Sequence, residues 1–427
     1  MRVKAFVVLL ILAFSIRIGI CSYRGGLGRT PDSYREYVMV ADRLLQHGTV
    51  TCAFVLDEAS SAPSAVMPPA YALLVAAAYA VLGAESFAAT LLLQIINALA
   101  TTAAVAVVFV VARQLGGGRA GWVAAIIAAL NPAIAGFTPL IWDTSLFTLG
   151  VALTVWMVVR LSHGPPDGKR WLAFGLWLGG LALLNPALTI AYPFLVLWSL
   201  TRSQNHRPRA TIHGVGLTVV GWLVVITPWT IRNFVHFDRF MYIRSGLKME
   251  LWLGVCPEAD QDPGAIFNER YPLKNAEAQR RVVSMGEEAF LDESGRQAIE
   301  AIRADPWRFV RLTATRLLDY WTGTVFTHVH PGEGGWPKAT WRAALAVVLS
   351  AEIAGLVFLL LVPLVKAGRS VTPEVYWLLA IVASFSLVYC LTHVQVRYRA
   401  PCEPLIAIVL ALLACPGSFL SKGTEPS

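Results

Sequence analysis

The chain alternates long apolar runs with short charged stretches. Ten runs, near 5–22, 86–114, 119–137, 139–161, 171–186, 187–201, 212–231, 342–366, 372–392 and 400–418, read as membrane-crossing helices. Roughly 18 or more apolar residues in a row suit a hydrocarbon core of about 30 Å. The run 69–83, PAYALLVAAAYAVLG, is harder to place. At about 1.5 Å per residue it reaches roughly 22 Å, short of that core. Two stretches have another pattern. In Thr30–Gly48, the residues Tyr34, Tyr37, Val38, Ala41, Leu44 and Leu45 recur at helical spacing between Arg35, Glu36, Asp42 and Arg43. That predicts an amphipathic helix along the bilayer surface, with Asp32 at its start. In the polar segment 232–341, residues 276–304 read as helical, and 305–321 as an amphipathic helix opened by Asp305-Pro306, an N-cap followed by proline at the first helical position.

Loop charge fixes a topology. If the N-terminus is inside and 69–83 does not cross, the cytoplasmic ends are MRVK, RQLGGGR (113–119), SHGPPDGKR (162–170), TRSQNHRPR (201–209), KAGR (366–369) and SK (421–422). Each carries Arg or Lys, as the positive-inside rule asks. The run 69–83 is therefore read as a juxtamembrane or re-entrant segment on the outer side, and the apolar N-terminus as an uncleaved first span. The expected fold is an all-α polytopic membrane protein of about ten transmembrane helices, with juxtamembrane helices in the first outer loop and a larger extracytoplasmic segment. Its parts are 1–231, an N-terminal transmembrane module with first outer loop 23–85; 232–341, the extracytoplasmic segment; 342–420, C-terminal transmembrane helices; and 421–427, a disordered tail.

Composition agrees. Of 427 residues 56% are hydrophobic and 15% charged, too little polar surface for a soluble chain of this length. The net charge of +8 is weak evidence for nucleic-acid binding, because the cations cluster in short loops between spans. The six cysteines show no metal-binding spacing. Cys52 and Cys256 are the two in outer segments, where a disulfide between them could persist. No internal repeat is evident, so the inverted-repeat signature of many transporters is missing.

Some residues could carry chemistry. Asp32 is either a helix N-cap or a general base or metal ligand at the lipid–water boundary. Asp143, in PLIWDTSLF at the outer start of a span, is again a cap or a functional carboxylate, since charge near lipid is costly. Two acids on one outer face suit a base plus a metal or acceptor ligand. Pro68 and Pro69 fix the direction of the 69–83 segment. Arg17, Arg232, Lys248, Arg397 and Arg399 stand at outer ends of spans. Singly each is explained by snorkelling or phospholipid anchoring; as a set they can clamp a phosphate. Glu352 lies within a span with no partner evident, and His328 and His330 form an HxH in a loop.

Seven stretches, in order, carry a resemblance: PDSYREYVMVADRLLQHG; PPAYALLVAAAYAVLGAESFAATLLLQIINAL; AALNPAIAGFTPLIWDTSLFTLGVAL; LALLNPALTIAYPFLVLW; ITPWTIRNFVHFDRFMYIRSGLKMELWLG; ADPWRFVRLTATRLLDYW; and VRYRAPCEPLIAIVLA. Together they resemble the GT-C superfamily of polyprenyl-phosphate-sugar glycosyltransferases, in its bacterial protein-mannosyltransferase-like and aminoarabinose-transferase-like branch. The resemblance implies a bacterial-type inner or plasma membrane enzyme with its active site on the outer face. It would move a sugar, hexosyl or pentosyl, from a polyprenyl phosphate to a lipid, glycan or protein acceptor with inversion. Asp32 would be the base in the first outer loop and Asp143 a second acid, orienting the acceptor or holding a divalent metal, Mg or Mn. Arg232, Arg397 and Arg399 would hold the donor phosphate, and Tyr34 and Tyr71 the substrate. Two departures stand out. Ser33 occupies the place where several relatives have a second acid beside the first. Met67 and Pro68 stand where aminoarabinose transferases carry a lysine. A lipid-linked sugar flippase is the rival reading and a non-catalytic envelope scaffold the third; the spans hold few polar groups besides Glu352, Asn97 and Asn131 for a transport route.

Overall fold

The structure, a computed structural model, describes residues 2–24, 26–29, 35–51, 54, 62–163, 167–201, 208–260, 266, 269–322, 336–365 and 371–415. Asp32, Tyr34, Cys52, His328, His330 and the tail 421–427 lie outside the described residues.

The described chain is helical apart from turns and one isolated bridge, Thr51 to Pro63. The first half runs α1 (Arg2–Tyr23), α2 (Glu36–His47), α3 (Pro69–Leu82), α4 (Phe87–Leu130), α5 (Pro132–Ala135), α6 (Thr144–His163), α7 (Gly168–Leu184), a 3-10 turn (Pro186–Ala191), α8 (Tyr192–Thr201) and α9 (Pro208–Phe237). The second runs α10 (Leu247–Leu253), α11 (Ala276–Met285), α12 (Glu287–Ala304), α13 (Pro306–Thr322), α14 (Trp336–Val365), α15 (Pro373–Leu391) and α16 (Glu403–Ala414). Among the described residues, five helices are long and apolar enough to cross a membrane: Val3–Tyr23, Phe87–Leu130, Thr144–Ser162, Ile212–Phe237 and Pro373–Leu391. Shorter apolar helices include Pro186–Thr201, Leu345–Leu361 and Ala400–Ala414. This is a multi-pass membrane protein.

Several boundaries differ from the sequence reading. The runs 86–114 and 119–137 form one helix, α4, kinked at Gly117, whose φ of +80° favours glycine. That helix stops at Leu130 because Asn131-Pro132 cannot continue it. The run 139–161 becomes helical only at Thr144, which leaves Asp143 in a turn before it. The amphipathic helix after Asp32 begins at Glu36, and Leu45 is exposed while Tyr37, Val38 and Ala41 are buried. It packs on α3, which has the predicted short helical form over Pro69–Leu82.

Two hydrophobic cores result. One lies among the spans and joins α4, α6, α7, α8, α15 and α16. The other joins α2 and α3 to the outer segment through residues such as Tyr37, Tyr71, Trp142, Met249, Phe290 and Leu312. Close helix approach in the first relies on small residues. A Cβ at Gly175 of α7 would fall 2.1 Å from the Thr218 carbonyl oxygen of α9, and one at Gly221 2.6 Å from the Leu172 carbonyl oxygen. Removing side chains at such crossings lets backbones pack where lipid offers no hydrophobic drive.

Buried charge in the bundle is internally satisfied. Arg17 is fully buried and binds Thr101 and the carbonyls of Ala13, Ala128 and Ala129, so it ties α1 to the C-terminal turn of α4. It is a packing residue and faces no outer solvent. Glu352 finds its partners too: Arg399 bridges Glu352 at 2.6 Å and Glu403 at 2.5 Å, while Asn131 Nδ2 donates to Glu352 at 2.7 Å and Glu403 at 2.8 Å. Cys256 is a buried thiol beside the Leu253 carbonyl, while Cys52, its expected partner, lies outside the described residues.

Candidate active site

A cavity of about 400 Å³ opens where the spans meet the outer segment. Its charged lining residues are Asp143, Arg244, Glu250, His393 and Arg397. Tyr37 of α2, Trp142, Tyr242, Tyr271, Tyr389 and Tyr398 supply the aromatic wall.

Asp143 is 3% exposed. Its backbone carbonyl accepts from Phe147 N at the start of α6. Its side-chain Oδ2 accepts a hydrogen bond of 2.8 Å from Asn185 Nδ2. Asn185 is oriented by its own cap, because its Oδ1 accepts from Ala187 N at the start of the 3-10 turn. With one end of the amide fixed on backbone, the other must point at Asp143. Burial pushes the Asp143 carboxyl up to about 6, against the lowering pull of Asn185, Arg397, Arg244 and a Tyr37 hydrogen bond. A carboxyl in that range can take up a proton near neutral pH.

The opposite wall comes from α10 and the loop after α15. Glu250 accepts from Arg244 Nη2 at 3.1 Å and faces His393 Nδ1 at 3.0 Å. Burial alone would raise the Glu250 carboxyl, but His393, Arg244 and Arg397 outweigh it and bring it down to about 2. The two elements meet because Gly254 lacks a Cβ, which would fall 1.9 Å from the Thr392 carbonyl oxygen. Arg397 lies 4.3 Å over the Trp142 ring, a cation–π contact that also reaches Asp143's turn.

The remaining residues singled out in the sequence go elsewhere. Arg232 is half-buried; its Nη1 donates to Ser64 O at 2.7 Å and its Nη2 to Val50 O at 3.0 Å, over the Trp229 ring. It clasps two points within the first outer loop, Val50 and Ser64, and does not line the cavity. Arg399 is held in the buried cluster with Glu352 and Glu403, also off the cavity. Of the three arginines expected to hold phosphate, Arg397 alone reaches the site, joined by Arg244. Tyr71 is fully buried, within hydrogen-bond range of Asn97 and packed edge-on against Tyr37 at 5.0 Å. Tyr37, not Tyr71, meets the cavity. Lys248 pairs with Asp292 on the outer surface. Arg244, Glu250, His393 and Asn185 were not singled out from the sequence. The one signal was position: Asn185-Pro186 breaks an apolar run just as Asn131-Pro132 does.

No group of three or more His, Cys, Asp or Glu side chains among the described residues is arranged to hold a metal ion. Asp143 is bound by Asn185 and Tyr37, and Glu250 by Arg244 beside His393. The described donors therefore do not fit the Mg or Mn site expected at Asp143.

Residues 66–231 match the family described as dolichyl-phosphate-mannose-protein mannosyltransferase. No curated protein matches the sequence. Among solved structures, the archaeal oligosaccharyltransferase AglB from Archaeoglobus fulgidus, in complex with an inhibitory peptide and a dolichol-phosphate, is similar with a TM-score of 0.55 at 14% identity, over 96% of this chain and 50% of its own. The Archaeoglobus fulgidus oligosaccharyltransferase in complex with Zn and sulfate gives 0.54 at 14% identity, over 95% and 48%. ArnT from Cupriavidus metallidurans bound to undecaprenyl phosphate gives 0.46 at 13% identity, over 96% and 78%. The chain spans about half the length of the archaeal structures it matches. This chain shares the fold of the archaeal oligosaccharyltransferase, and its residues 66–231 match the mannosyltransferase family.

Proposed function

We propose that this protein is an integral membrane glycosyltransferase that moves a sugar from a polyprenyl-phosphate donor to an envelope acceptor on the extracytoplasmic face. The observation that carries the reading is the cavity itself: one buried carboxylate, Asp143, shares about 400 Å³ with two arginines, Arg244 and Arg397. The family match over 66–231 and the dolichol-phosphate in the similar archaeal structure support a lipid-phosphate donor.

In this reading Arg397 and Arg244 receive the donor phosphate. A guanidinium suits a phosphate that gains charge as it leaves, because its paired N–H groups strengthen as the anion develops. The acceptor oxygen bonds to the anomeric carbon as the carbon–oxygen bond to phosphate breaks. The electron pair of that bond leaves with the polyprenyl phosphate, and the configuration inverts. The acceptor proton goes to a carboxylate. Asp32, in the first outer loop, is proposed as that base, and Asp143 as the acid that orients the acceptor hydroxyl. Tyr34 and Tyr37 are proposed sugar contacts. The size of the cavity suits a single hexose or pentose. A divalent ion, Mg or Mn, would need ligands beyond the described residues, and none of these steps uses one.

The test is transfer of radiolabelled sugar from a polyprenyl phosphate by the purified, reconstituted protein. Labelled product that depends on Asp32 and Asp143 supports the reading. Label that crosses the bilayer while still attached to its lipid returns the chain to the flippase alternative.

A further inference from the structure

Five side chains on the cavity wall form a continuous line. Arg244 Nη2 donates to Glu250 at 3.1 Å, and Glu250 Oε2 faces His393 Nδ1 at 3.0 Å. His393 Nε2 lies 3.0 Å from the Tyr398 hydroxyl, to which Arg397 Nη2 donates at 3.3 Å. Tyr398 is locked on its other face by stacking on Tyr389 at 4.1 Å and 13°. All of these residues line the cavity.

The chemistry of the line is directional. A carboxylate held ionised can only accept, and His393 Nδ1 stands 3.0 Å from it as a close contact without the alignment of a hydrogen bond. Nε2 is then left to engage the Tyr398 oxygen, as acceptor in neutral imidazole or as donor in the cation, and in both forms the hydroxyl stays in place. The hydroxyl in turn holds Arg397 against Trp142. The inner residues of this line touch each other, and of its two ends, Arg244 and Arg397, the second is the one that Tyr398 holds.

Resting on the glycosyltransferase reading, we infer that Glu250 and His393 are positioning residues: they set the Tyr398 hydroxyl, and through it the Arg397 guanidinium, which donates to the phosphate of the lipid-linked donor. The glycine at 254 is part of the same device, because it lets α10 approach the Thr392 carbonyl closely enough for Glu250 to reach His393.

A double-mutant cycle on binding of undecaprenyl phosphate to the detergent-purified full chain tests this. Tyr398→Phe and His393→Phe are each expected to weaken binding about tenfold, the loss of one hydrogen bond to a charged group. Because His393 acts through Tyr398, the double variant should bind no more weakly than either single one. His393→Gln, whose amide can bridge Glu250 and Tyr398, should recover most of the affinity. His393→Ala run in parallel covers a failure of the phenylalanine variant to fold. Losses that multiply to about a hundredfold, or unchanged binding by His393→Phe and His393→Ala, overturn the relay and leave the proposed function standing. A wild-type protein that binds no undecaprenyl phosphate overturns the function and the relay with it.

Discussion

Asn185 donates a hydrogen bond of 2.8 Å to Asp143, from a side chain whose oxygen caps the turn that follows it. The same device occurs once more in the chain. Asn131 caps Ala133 and Ile134 with its oxygen and gives its amide N–H groups to Glu352 and Glu403. In both places an Asn-Pro pair ends an apolar helix and orients a buried carboxylate. Glu352 and Glu403 are locked against Arg399 inside the bundle, and Asp143 faces the cavity.

Asn185→Ala removes a donor that favours the charged form of Asp143, whose carboxyl already stands near 6 through burial. Loss of a hydrogen bond to a charged group costs about 1.5–3 kcal/mol, or roughly one to two pKa units upward. If Asp143 must be ionised, the acidic limb of the pH–rate profile moves from about 6 to higher pH, and activity at neutral pH drops. A profile unchanged from wild type contradicts this assignment.

The three arginines at outer span ends should separate by phenotype. Arg399→Met strands Glu352 and Glu403 without their cation, and breaking one partner of a buried pair typically costs about 3–5 kcal/mol. Thermal unfolding in detergent should fall sharply. Arg397→Met should leave unfolding nearly unchanged and abolish transfer. The reverse pattern would mean that the two roles are exchanged.

Much of the fold was legible in the pattern of apolar runs, because a helix in lipid must be apolar along its length and must satisfy its own backbone. The site was less legible. Arg232, Arg397 and Arg399 look alike in the sequence, and only packing shows that one clasps a loop, one lines a cavity and one neutralises two buried acids. Asp143 was visible as an acid near lipid. Its partner Asn185 was not, because nothing local links the two residues. Glu250 and His393 were missed because each is ordinary in its own segment and gains meaning only where Gly254 lets the segments meet.

Gly175→Ala should destabilise the membrane bundle. The added methyl would fall 2.1 Å from the Thr218 carbonyl oxygen, so α7 and α9 must separate. Overpacking of this kind costs about 1–3 kcal/mol. The loss would appear as a lower midpoint of thermal unfolding, whereas Gly180→Ala, with open space around it, serves as the neutral comparison. Equal midpoints for the two variants contradict the close crossing.

Arg232→Ala frees the first outer loop at Val50 and Ser64. Limited proteolysis between these residues should accelerate, and transfer should fall, while binding of undecaprenyl phosphate stays close to wild type. Weakened lipid binding with unaltered proteolysis would instead give Arg232 the phosphate role expected from sequence.

The most direct measurement is sugar transfer itself, in proteoliposomes loaded with a radiolabelled polyprenyl-phosphate sugar and an envelope extract as acceptor. Asp143→Asn and Asp32→Asn keep size while removing charge and basicity, and a positioned base contributes roughly 10²–10⁴-fold in rate. The account predicts that wild-type protein moves label from lipid to acceptor, that Asp32→Asn lowers this by at least about 10²-fold, and that Asp143→Asn lowers it less, each with undecaprenyl phosphate binding retained. Transfer at wild-type rates by both variants would contradict it.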